Sequence, residues 1–385
     1  MADNGPSDEP APQFDRETLG QIVLVLQGGG ALGSYQAGVY QALQETGIEP
    51  DWLIATSIGA VNASLITGNP PEKRVPRLRE FWTRVEHSPL AQLLGLTPLI
   101  GPLAANSLAI SAGVRGFFEP NPWAYLGLQF PLAVELAGLN SLRPLEVTLS
   151  ELIDEKLLNA GRPRLTVGAA NVRTSAMHYF DSRDMPLTIK HVKASAATPP
   201  TFPPVRIGDD FYWDGGVVSN SPIEAVFDDN PRRSGLIFEV EMWNPHGPVP
   251  NSIPMALARE KDLLYSSRAT SQVARQRQIH KLRHVINEML VQLPKETRDT
   301  PEVRALAAYG CVTRMHVMRL VAPPLAGEDH SKDIDFSPDG IRQRWDVGYK
   351  DTMRVLAQAP WTHEPDALEG FILHEAEAGR MMFEG

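Results

Sequence analysis

The sequence predicts an α/β fold with a mainly parallel central sheet flanked by helices. Residues 22–26 are continuously apolar and lead through a glycine loop into a helical pattern that continues to about residue 46. A second apolar run, residues 52–55, leads into a helical pattern of small residues that ends near Gly68. Each pattern is typical of a strand, a loop and a helix, and two in succession make a βαβ unit. The unbroken apolar run indicates a strand buried on both faces.

The same reading extends along the chain. Residues 70–86 form a charged amphipathic pattern that predicts a helix, and a short helix is predicted before Pro199 and Pro200. The further strands are predicted at residues 165–170, 177–181, 211–214, 236–240 and 312–321. The further helices are predicted at residues 254–293 and 345–356.

One uncharged segment tests whether the chain crosses a membrane. Residues 88–114 carry no charged side chain, and their number is sufficient to span a bilayer. Repeated proline and glycine residues interrupt the segment, so no continuous apolar helix remains. We therefore interpret residues 88–145 as an apolar insertion that shapes a pocket.

Composition limits the function classes. The chain has 385 residues and a net charge of −10, which argues against a nucleic acid partner. Its single cysteine, Cys311, excludes an intrachain disulfide and a cysteine-cluster zinc site. Residues 1–20 lack an apolar core and look like a disordered lead-in without a secretory signal. The expected location is cytoplasmic, with peripheral contact at a membrane as an option.

Ser57 lies where the second predicted strand meets its helix. A serine on a sharp strand-to-helix turn exposes its hydroxyl beside the amides of a helix N-terminus, which favour developing negative charge. Gly59 permits a close backbone approach, whereas Ala55 occupies the first glycine position of the usual Gly-x-Ser-x-Gly pattern. Without the other motifs, a role as the N-cap residue of the helix explains Ser57 at least as well as a catalytic role.

The glycine loop after the first strand has two interpretations. Gly28, Gly30 and Gly33 fit the dinucleotide fingerprint Gly-x-Gly-x-x-Gly, which also requires an acidic residue after the second strand. That strand is followed by Thr56 and Ser57 instead. Successive glycines can also direct backbone N–H groups toward an oxyanion, where losing one donor costs about 3 kcal/mol. The oxyanion interpretation accounts for both the glycine loop and the serine after the second strand, whereas the dinucleotide interpretation accounts only for the glycine loop.

Asp214 ends a predicted strand and is followed by Gly215 and Gly216. A carboxylate that is desolvated at a strand end can deprotonate a serine hydroxyl if its pKa rises toward neutrality. The two glycines leave room for the nucleophile. An isolated Asp-Gly is more often a hairpin turn.

The three motifs together resemble those of the patatin-like phospholipases. They occur in that family's order, and residues 194–205 and 218–222 resemble its sequence immediately before and after Asp-Gly-Gly. The resemblance covers roughly residues 20–240 and implies a three-layer α/β sandwich. Residues 21–245 would form the catalytic domain, including the insertion at about 88–145. Residues 250–385 resemble the helical C-terminal extension of a bacterial subgroup.

The resemblance also implies a chemistry, namely hydrolysis of lipid acyl esters without a metal or organic cofactor. The expected partners are a lipid or other acyl-ester substrate, with membrane-surface contact and oligomerisation as options. The implied residues are Ser57 as nucleophile and Asp214 as base, Gly28, Gly29 and Gly30 as the oxyanion hole, and Gly33, Gly59, Gly215 and Gly216 as supporting positions.

Several alternatives remain open for individual residues. His191 could complete a triad with Ser57, although a dyad needs no histidine. His280 and His284 have the spacing of metal ligands on a helix, but no third ligand is evident and a solvated face is preferred. The helix predicted at residues 254–293 is basic, with seven Lys or Arg against two acids between residues 259 and 283. This basic helix could lie on an anionic membrane, but the expectation is that it packs apolar residues inward: Leu257, Leu264, Val273, Ile279, Leu282 and Ile286.

Three alternatives to lipid hydrolysis also remain. The same serine on a strand-to-helix turn occurs in acyltransferases, but acyl-carrier transferases resemble Gly-His-Ser with a separate histidine, whereas Thr56 precedes Ser57 here. Hydrolysis of hydroxyalkanoate oligomers would use the same site. An inactive scaffold would keep the fold, although the intact serine, aspartate and glycine loop argue against it.

Overall fold

The computed structural model of the protein describes residues 19–87, 112–325, 328, 330–362, 369–377 and 380–382. The predicted lead-in lies outside the described residues except for its last two. Most of the uncharged segment, residues 88–111, lies outside them too, so the structure describes the insertion only from residue 112 onward.

The strands of the described residues form one large sheet and one short ladder. In chain order the strands are β1 (Gln21–Leu26), β2 (Trp52–Thr56), β3 (Glu119–Pro120), β4 (Asn140–Ser141), β5 (Arg164–Asn171), β6 (Met177–Asp181), β7 (Val205–Ile207), β8 (Asp210–Asp214), β9 (Gly235–Glu241), β10 (Met315–Val321), β11 (Phe371–Glu377) and β12 (Arg380–Met382). Among the described strands, β3 and β4 pair only with each other.

Helices cover both faces of the large sheet. In chain order the longer helices are α1 (Ser34–Glu45), α2 (Ile58–Thr67), α3 (Pro71–Arg84), α4 (Arg143–Leu152), α5 (Ile189–Ser195), α6 (Ile253–Gln292), α7 (Pro301–Ala307) and α8 (Pro338–Gln358). Single helical turns occur at Ala124–Gly127, Glu155–Leu158, Glu224–Phe227 and Lys295–Arg298. Among the described residues, none of these helices combines the length and the apolarity needed to cross a bilayer.

The sheet confirms the predicted fold class. Its order is β12-β11-β10-β9-β1-β2-β5-β8-β7, with β6 also paired to β5. The six strands from β11 to β5 run parallel to their neighbours, whereas β6, β7, β8 and β12 pair antiparallel. The C-terminal region is helical, as predicted, and it also adds β10, β11 and β12 to the sheet.

Side chains of β1 alternate between two buried clusters. Ile22, Leu24 and Leu26 belong to one cluster, and Val23 and Val25 belong to the other. The first cluster includes residues of α1, α2, α3 and α8, and the second includes residues of β9, β10, β11 and α6. Both faces of β1 are therefore buried, as its continuous apolar run predicts.

The register of β5 brings two strand ends together. Ala169 of β5 pairs with His178 of β6 and, on its other side, with Asp214 of β8. Thr56, the last residue of β2, pairs with Gly168, whose other neighbour is in β6. Because a strand has only two edges, β2 and β8 lie on the same edge of β5. They run in opposite directions, so their C-terminal ends meet.

The residues of α6 that are buried differ from those that the sequence predicts. Leu257, Leu264 and Leu282 are 44–56% exposed, and Val273 is the only one of the six predicted inward residues that is buried. The residues buried on this helix are Ser266, Ala269, Val273, Gln276, His280 and His284. The helix covers a surface that presents polar groups: His280 and His284 each hydrogen-bond to the carbonyl oxygen of Thr313. Polar side chains are needed there because a buried carbonyl oxygen without a partner is unfavourable.

Candidate active site

Ser57 occupies a strained turn between β2 and α2. Its backbone has φ 58° and ψ −129°, which lies outside the regions that L-residues favour. Its N–H donates to Ser195 Oγ at 2.9 Å, and Ser195 Oγ donates in turn to the carbonyl oxygen of Gly168 at 2.6 Å. Strand β5 and helix α5 therefore hold the turn in place. The Ser57 side chain is half-buried at the edge of a cavity.

Ala55 does not disturb this turn. It lies inside β2, in register with Leu26 and Val167, and its side chain packs in the main core cluster. Its backbone is extended, so no residue with positive φ is required at this position. The departure from Gly-x-Ser-x-Gly is therefore compatible with the local geometry.

Asp214 faces Ser57 across the meeting point of β8 and β2. Ser57 Oγ and Thr198 Oγ1 both donate to Asp214 Oδ2 at 2.6 Å, and the Gly216 N–H donates to Asp214 Oδ1 at 2.7 Å. The residue is 3% exposed. Burial raises the pKa of this carboxyl above its usual range, while the hydrogen bonds from Ser57, Thr198 and Gly216 oppose that rise.

Both the N–H group and the carbonyl oxygen of Gly28 are hydrogen-bonded. Its N–H donates to the carbonyl oxygen of Asn220 at 3.3 Å, and its carbonyl oxygen accepts from Asn220 Nδ2 at 3.1 Å and from Trp243 Nε1 at 2.9 Å. A Cβ atom at Gly28 would lie 2.9 Å from Ser57 Cβ and 2.5 Å from Asn220 Oδ1. Glycine is therefore required here because Ser57 and Asn220 approach the backbone closely.

Gly29 and Gly30 present the next two amides of the loop. Within the part of the chain that the structure describes, the N–H groups of Gly29 and Gly30 have no hydrogen-bond acceptor. Gly30 has φ +55° and begins a 3-10 turn, Gly30–Gly33, and a Cβ atom on it would lie 2.2 Å from the carbonyl oxygen of Asp333. Two unoccupied backbone donors beside a serine hydroxyl can bind a developing oxyanion.

The remaining predicted glycines lie where chain segments touch. A Cβ atom at Gly33 would meet Ile58, at Gly59 the carbonyl oxygen of Leu26, at Gly215 that of Gly168, and at Gly216 the side chains of Asn220 and Asp214. These contacts hold the glycine loop, the serine turn and the aspartate turn against one another.

A cavity of about 330 Å³ opens beside these groups. Its wall includes Gly28, Gly29, Gly30, Ser57 and Asp214, and most of the rest of it is apolar or aromatic. The residues from the insertion are Phe117, Phe118 and Asn140, and those from the C-terminal region include Lys261, Tyr265, Asp333 and Phe336. Described residues of the predicted insertion therefore line part of this cavity.

Lys261 is the only cation among the described residues that line the cavity. Its Nζ donates to Asp333 Oδ1 at 2.6 Å and to the carbonyl oxygen of His330 at 2.9 Å. Tyr265, one turn further along α6, packs against Trp243 with ring centroids 4.7 Å apart. Helix α6 therefore closes one side of the cavity through an ion pair and an aromatic contact.

Sequence reasoning missed several of these groups. Ser195, Thr198 and Asn220 lie in the two stretches that flank Asp-Gly-Gly in the family pattern, so the resemblance located them without giving them roles. Lys261 and Tyr265 lie on a helix whose sequence resembles many solvated helices. Only the fold shows that α6 reaches the cavity.

The histidines occupy other positions. His191 Nδ1 accepts from the N–H of Thr188 at 3.0 Å, and its ring packs against Phe180 with centroids 4.8 Å apart. Burial lowers the pKa of His191, and Ser57 donates directly to Asp214 without an intervening imidazole. Among the described residues, no group of three or more His, Cys, Asp or Glu side chains could hold a metal ion.

Three comparisons relate the chain to known proteins. A triacylglycerol lipase of Schizosaccharomyces pombe, ptl3, is 36% identical over 78 residues, which are 20% of this chain and 16% of that protein. The chain therefore matches less than a fifth of that relative's length. VipD from Legionella pneumophila is 14% identical with a TM-score of 0.40, over 88% of this chain and 67% of that one. Human GIVD cytosolic phospholipase A2 is 16% identical with a TM-score of 0.26, over 44% and 23%.

Two family models match the chain directly. A model described as patatin phospholipase matches residues 263–368. A model of the patatin-like phospholipases matches residues 24–227, which include the glycine loop, the serine turn and the Asp-Gly-Gly turn. Because that match spans more than half of the 385 residues, the chain belongs to the patatin-like phospholipase family.

Proposed function

We propose that this protein is a serine acyl hydrolase that cleaves carboxylic esters of lipids. The observation that carries the proposal is the 2.6 Å hydrogen bond from Ser57 Oγ to Asp214 Oδ2, made at a strained turn beside an apolar cavity. Family membership and the relative named as a triacylglycerol lipase support a lipid ester as the substrate. Phospholipase A, lysophospholipase and esterase activities all fit this site.

The first half of the proposed reaction transfers the acyl group to the protein. Asp214 Oδ2 accepts the proton of Ser57 Oγ while that oxygen attacks the ester carbonyl carbon. The N–H groups of Gly29 and Gly30 donate to the oxyanion that forms, and the positive end of α2 lies beside it. The carbon–oxygen bond to the leaving alcohol then breaks, and the alcohol departs with the proton held by Asp214.

The second half releases the acid. Asp214 accepts a proton from a water molecule, whose oxygen attacks the carbonyl carbon of the acyl-serine. The tetrahedral oxyanion again binds the amides of Gly29 and Gly30. The bond to Ser57 Oγ then breaks, Oγ regains the proton from Asp214, and a carboxylic acid leaves. The base must be ionised at the start of each half, so its pKa sets the acidic limit of activity.

Replacing Thr198 with valine is expected to move that limit. The Thr198 hydroxyl donates to Asp214 Oδ2 and thereby stabilises the ionised carboxylate. Removing this donor raises the pKa of Asp214 further, so the acidic limb of kcat/KM against pH shifts to higher pH. We expect most of the activity to return at alkaline pH. A Thr198→Ser variant keeps the hydroxyl and should follow the wild-type pH profile, whereas an unchanged limb in Thr198→Val would exclude this role.

A substrate panel tests the proposed function itself. We expect the purified protein to hydrolyse p-nitrophenyl esters and to release fatty acid from phospholipid, lysophospholipid or acylglycerol, with a preference for acyl chains long enough to fill the cavity. Each substrate is measured with and without an added alcohol. Acyl transfer that outpaces hydrolysis would identify an acyltransferase, and no turnover of any ester would favour an inactive scaffold.

A further inference from the structure

The loop between β3 and β4 exposes large apolar side chains. We call residues 121–139 the apolar loop. Its exposed residues, each 41–72% accessible, are Trp123, Leu126, Leu128, Phe130, Val134, Leu136 and Leu139. Isolated exposed apolar side chains are ordinary on protein surfaces, but a contiguous group of this size marks an interaction site.

The apolar loop has a defined structure. Asn121 Nδ2 donates to the carbonyl oxygens of Leu136 and Gly138 at 2.9 and 2.7 Å, which ties the beginning of the loop to its end. The segment closes around a cleft of about 370 Å³ whose wall includes Leu128, Phe130 and Pro200. The exposed side chains are therefore presented on an ordered surface.

The apolar loop adjoins the catalytic cavity. The N–H of Leu139 donates to the carbonyl oxygen of Pro200 at 3.1 Å, and the N–H of Asn140 donates to that of Thr201 at 2.7 Å. Asn140, Thr201 and Phe202 line the cavity that contains Ser57. A lipid held at the apolar loop would therefore lie beside the cavity.

The charges around the apolar loop suit a phospholipid interface. Glu135 is the only charged side chain in residues 120–142, although the whole chain carries a net charge of −10. A neighbouring cleft is lined by Glu135 together with Lys190, Lys193 and Arg206. Lys193 is paired with Glu146, and Arg206 donates to the carbonyl oxygen of Gly208 but stays exposed, as Lys190 does. An apolar surface flanked by exposed cations can insert among acyl chains while the cations contact lipid phosphates.

We propose that the apolar loop docks the protein on the surface of a phospholipid bilayer and so presents lipid esters to the Ser57 cavity. The choice of a lipid surface rests on the proposed function. Exposed Trp is suited to a membrane–water interface, and exposed Phe and Leu are suited to burial at its acyl boundary. The basic helix α6 is the weaker candidate, because five of its seven cations donate to oxygens of the same chain: Arg259, Lys261, Arg268, Arg277 and Arg283.

Vesicle binding tests the proposal. We expect the full chain to sediment with phosphatidylcholine vesicles, and raised sodium chloride should not release it, because apolar insertion is not screened. The double substitution Leu128→Ser and Phe130→Ser, at side chains that are 72% and 60% exposed, should weaken this binding at least about tenfold. The matched control is Leu306→Ser with Val312→Ser, 61% and 68% exposed and outside the loop, which should bind as wild type does.

Four results would overturn the proposal. The first is no binding of the wild type to these vesicles, and the second is equal binding by the loop and control variants. The third is binding that requires added phosphatidylglycerol and disappears in salt, which would point to a basic surface. The fourth is a loop variant whose mass on size exclusion differs from that of the wild type while its vesicle binding does not. This result would identify the apolar loop as a contact between two copies of the chain.

A second experiment, with one fluorescently labelled residue, tests docking even if the double variant does not fold. In a Cys311→Ser background, Leu128→Cys carries a polarity-sensitive fluorophore, and Leu306→Cys carries the same label as a control. We expect a blue shift on phosphatidylcholine vesicles only at position 128, and equal spectra would contradict docking by the loop. Hydrolysis of a water-soluble short-chain ester should not change in the loop variant. Vesicle binding without any esterase activity would contradict the proposed function but would still support docking by the apolar loop.

Discussion

Replacing Ser57 with alanine is expected to reduce ester hydrolysis by a factor of about ten thousand or more, because the proposed nucleophile is removed. The fold should persist, since Asp214 keeps its hydrogen bonds from Thr198 and Gly216 and only one half-buried hydroxyl is lost. The measurement is kcat/KM on a p-nitrophenyl ester, with circular dichroism and thermal unfolding as the check on structure.

An exposed serine that does not line the cavity provides the control for this substitution. Ser271 is exposed on α6, and Ser271→Ala should retain full activity. Turnover near the wild-type rate in a folded Ser57→Ala protein would remove Ser57 from the reaction. Loss of activity together with loss of the circular dichroism spectrum would indicate a structural role for the hydroxyl.

Replacing Asp214 with asparagine is expected to reduce kcat/KM by about a thousandfold or more, since an amide cannot accept the serine proton. The amide also fits the site less well, because Ser57 and Thr198 donate to one carboxylate oxygen and Gly216 donates to the other. One of these donors must then face the asparagine NH₂ group. Loss of that hydrogen bond is partly offset because a buried charge is no longer needed, so the melting temperature should change by only a few degrees.

The pH profile separates the proposed role of Asp214 from a purely structural one. Residual activity in Asp214→Asn should lack the acidic limb that we expect for the wild type. The double variant with Ser57→Ala should be no slower than Ser57→Ala alone, because two residues that act in one step are not additive. A retained acidic limb in Asp214→Asn would assign the base to another residue.

The sequence was most informative where one physical rule applied without competition. The continuous apolar run at the start of the chain predicted a strand buried on both faces, and β1 has that position. Residues 177–181 were predicted as a strand with the bounds that β6 has. The order of strand, glycines and helical pattern, repeated with a serine after the next strand, predicted a βαβ unit. This prediction placed Gly30 and Ser57 on two neighbouring loops of that unit.

Other features depend on pairing that a single chain segment does not encode. The meeting of β2 and β8 depends on the register of both with β5, and it is this register that brings Ser57 within reach of Asp214. The inward face of α6 could not be assigned from apolar spacing, because His280 and Gln276 are buried there while Leu282 is exposed. Helical periodicity shows which residues share a face, but the partner decides which face is buried.

The most direct test of the central proposal is covalent labelling of the native protein with a fluorophosphonate, followed by mass spectrometry of its peptides. The proposed dyad predicts a single labelled peptide that carries the phosphonate on Ser57, much slower labelling in Asp214→Asn, and none in Ser57→Ala. Failure of the folded wild type to react, or attachment of the probe to a different serine, would contradict it.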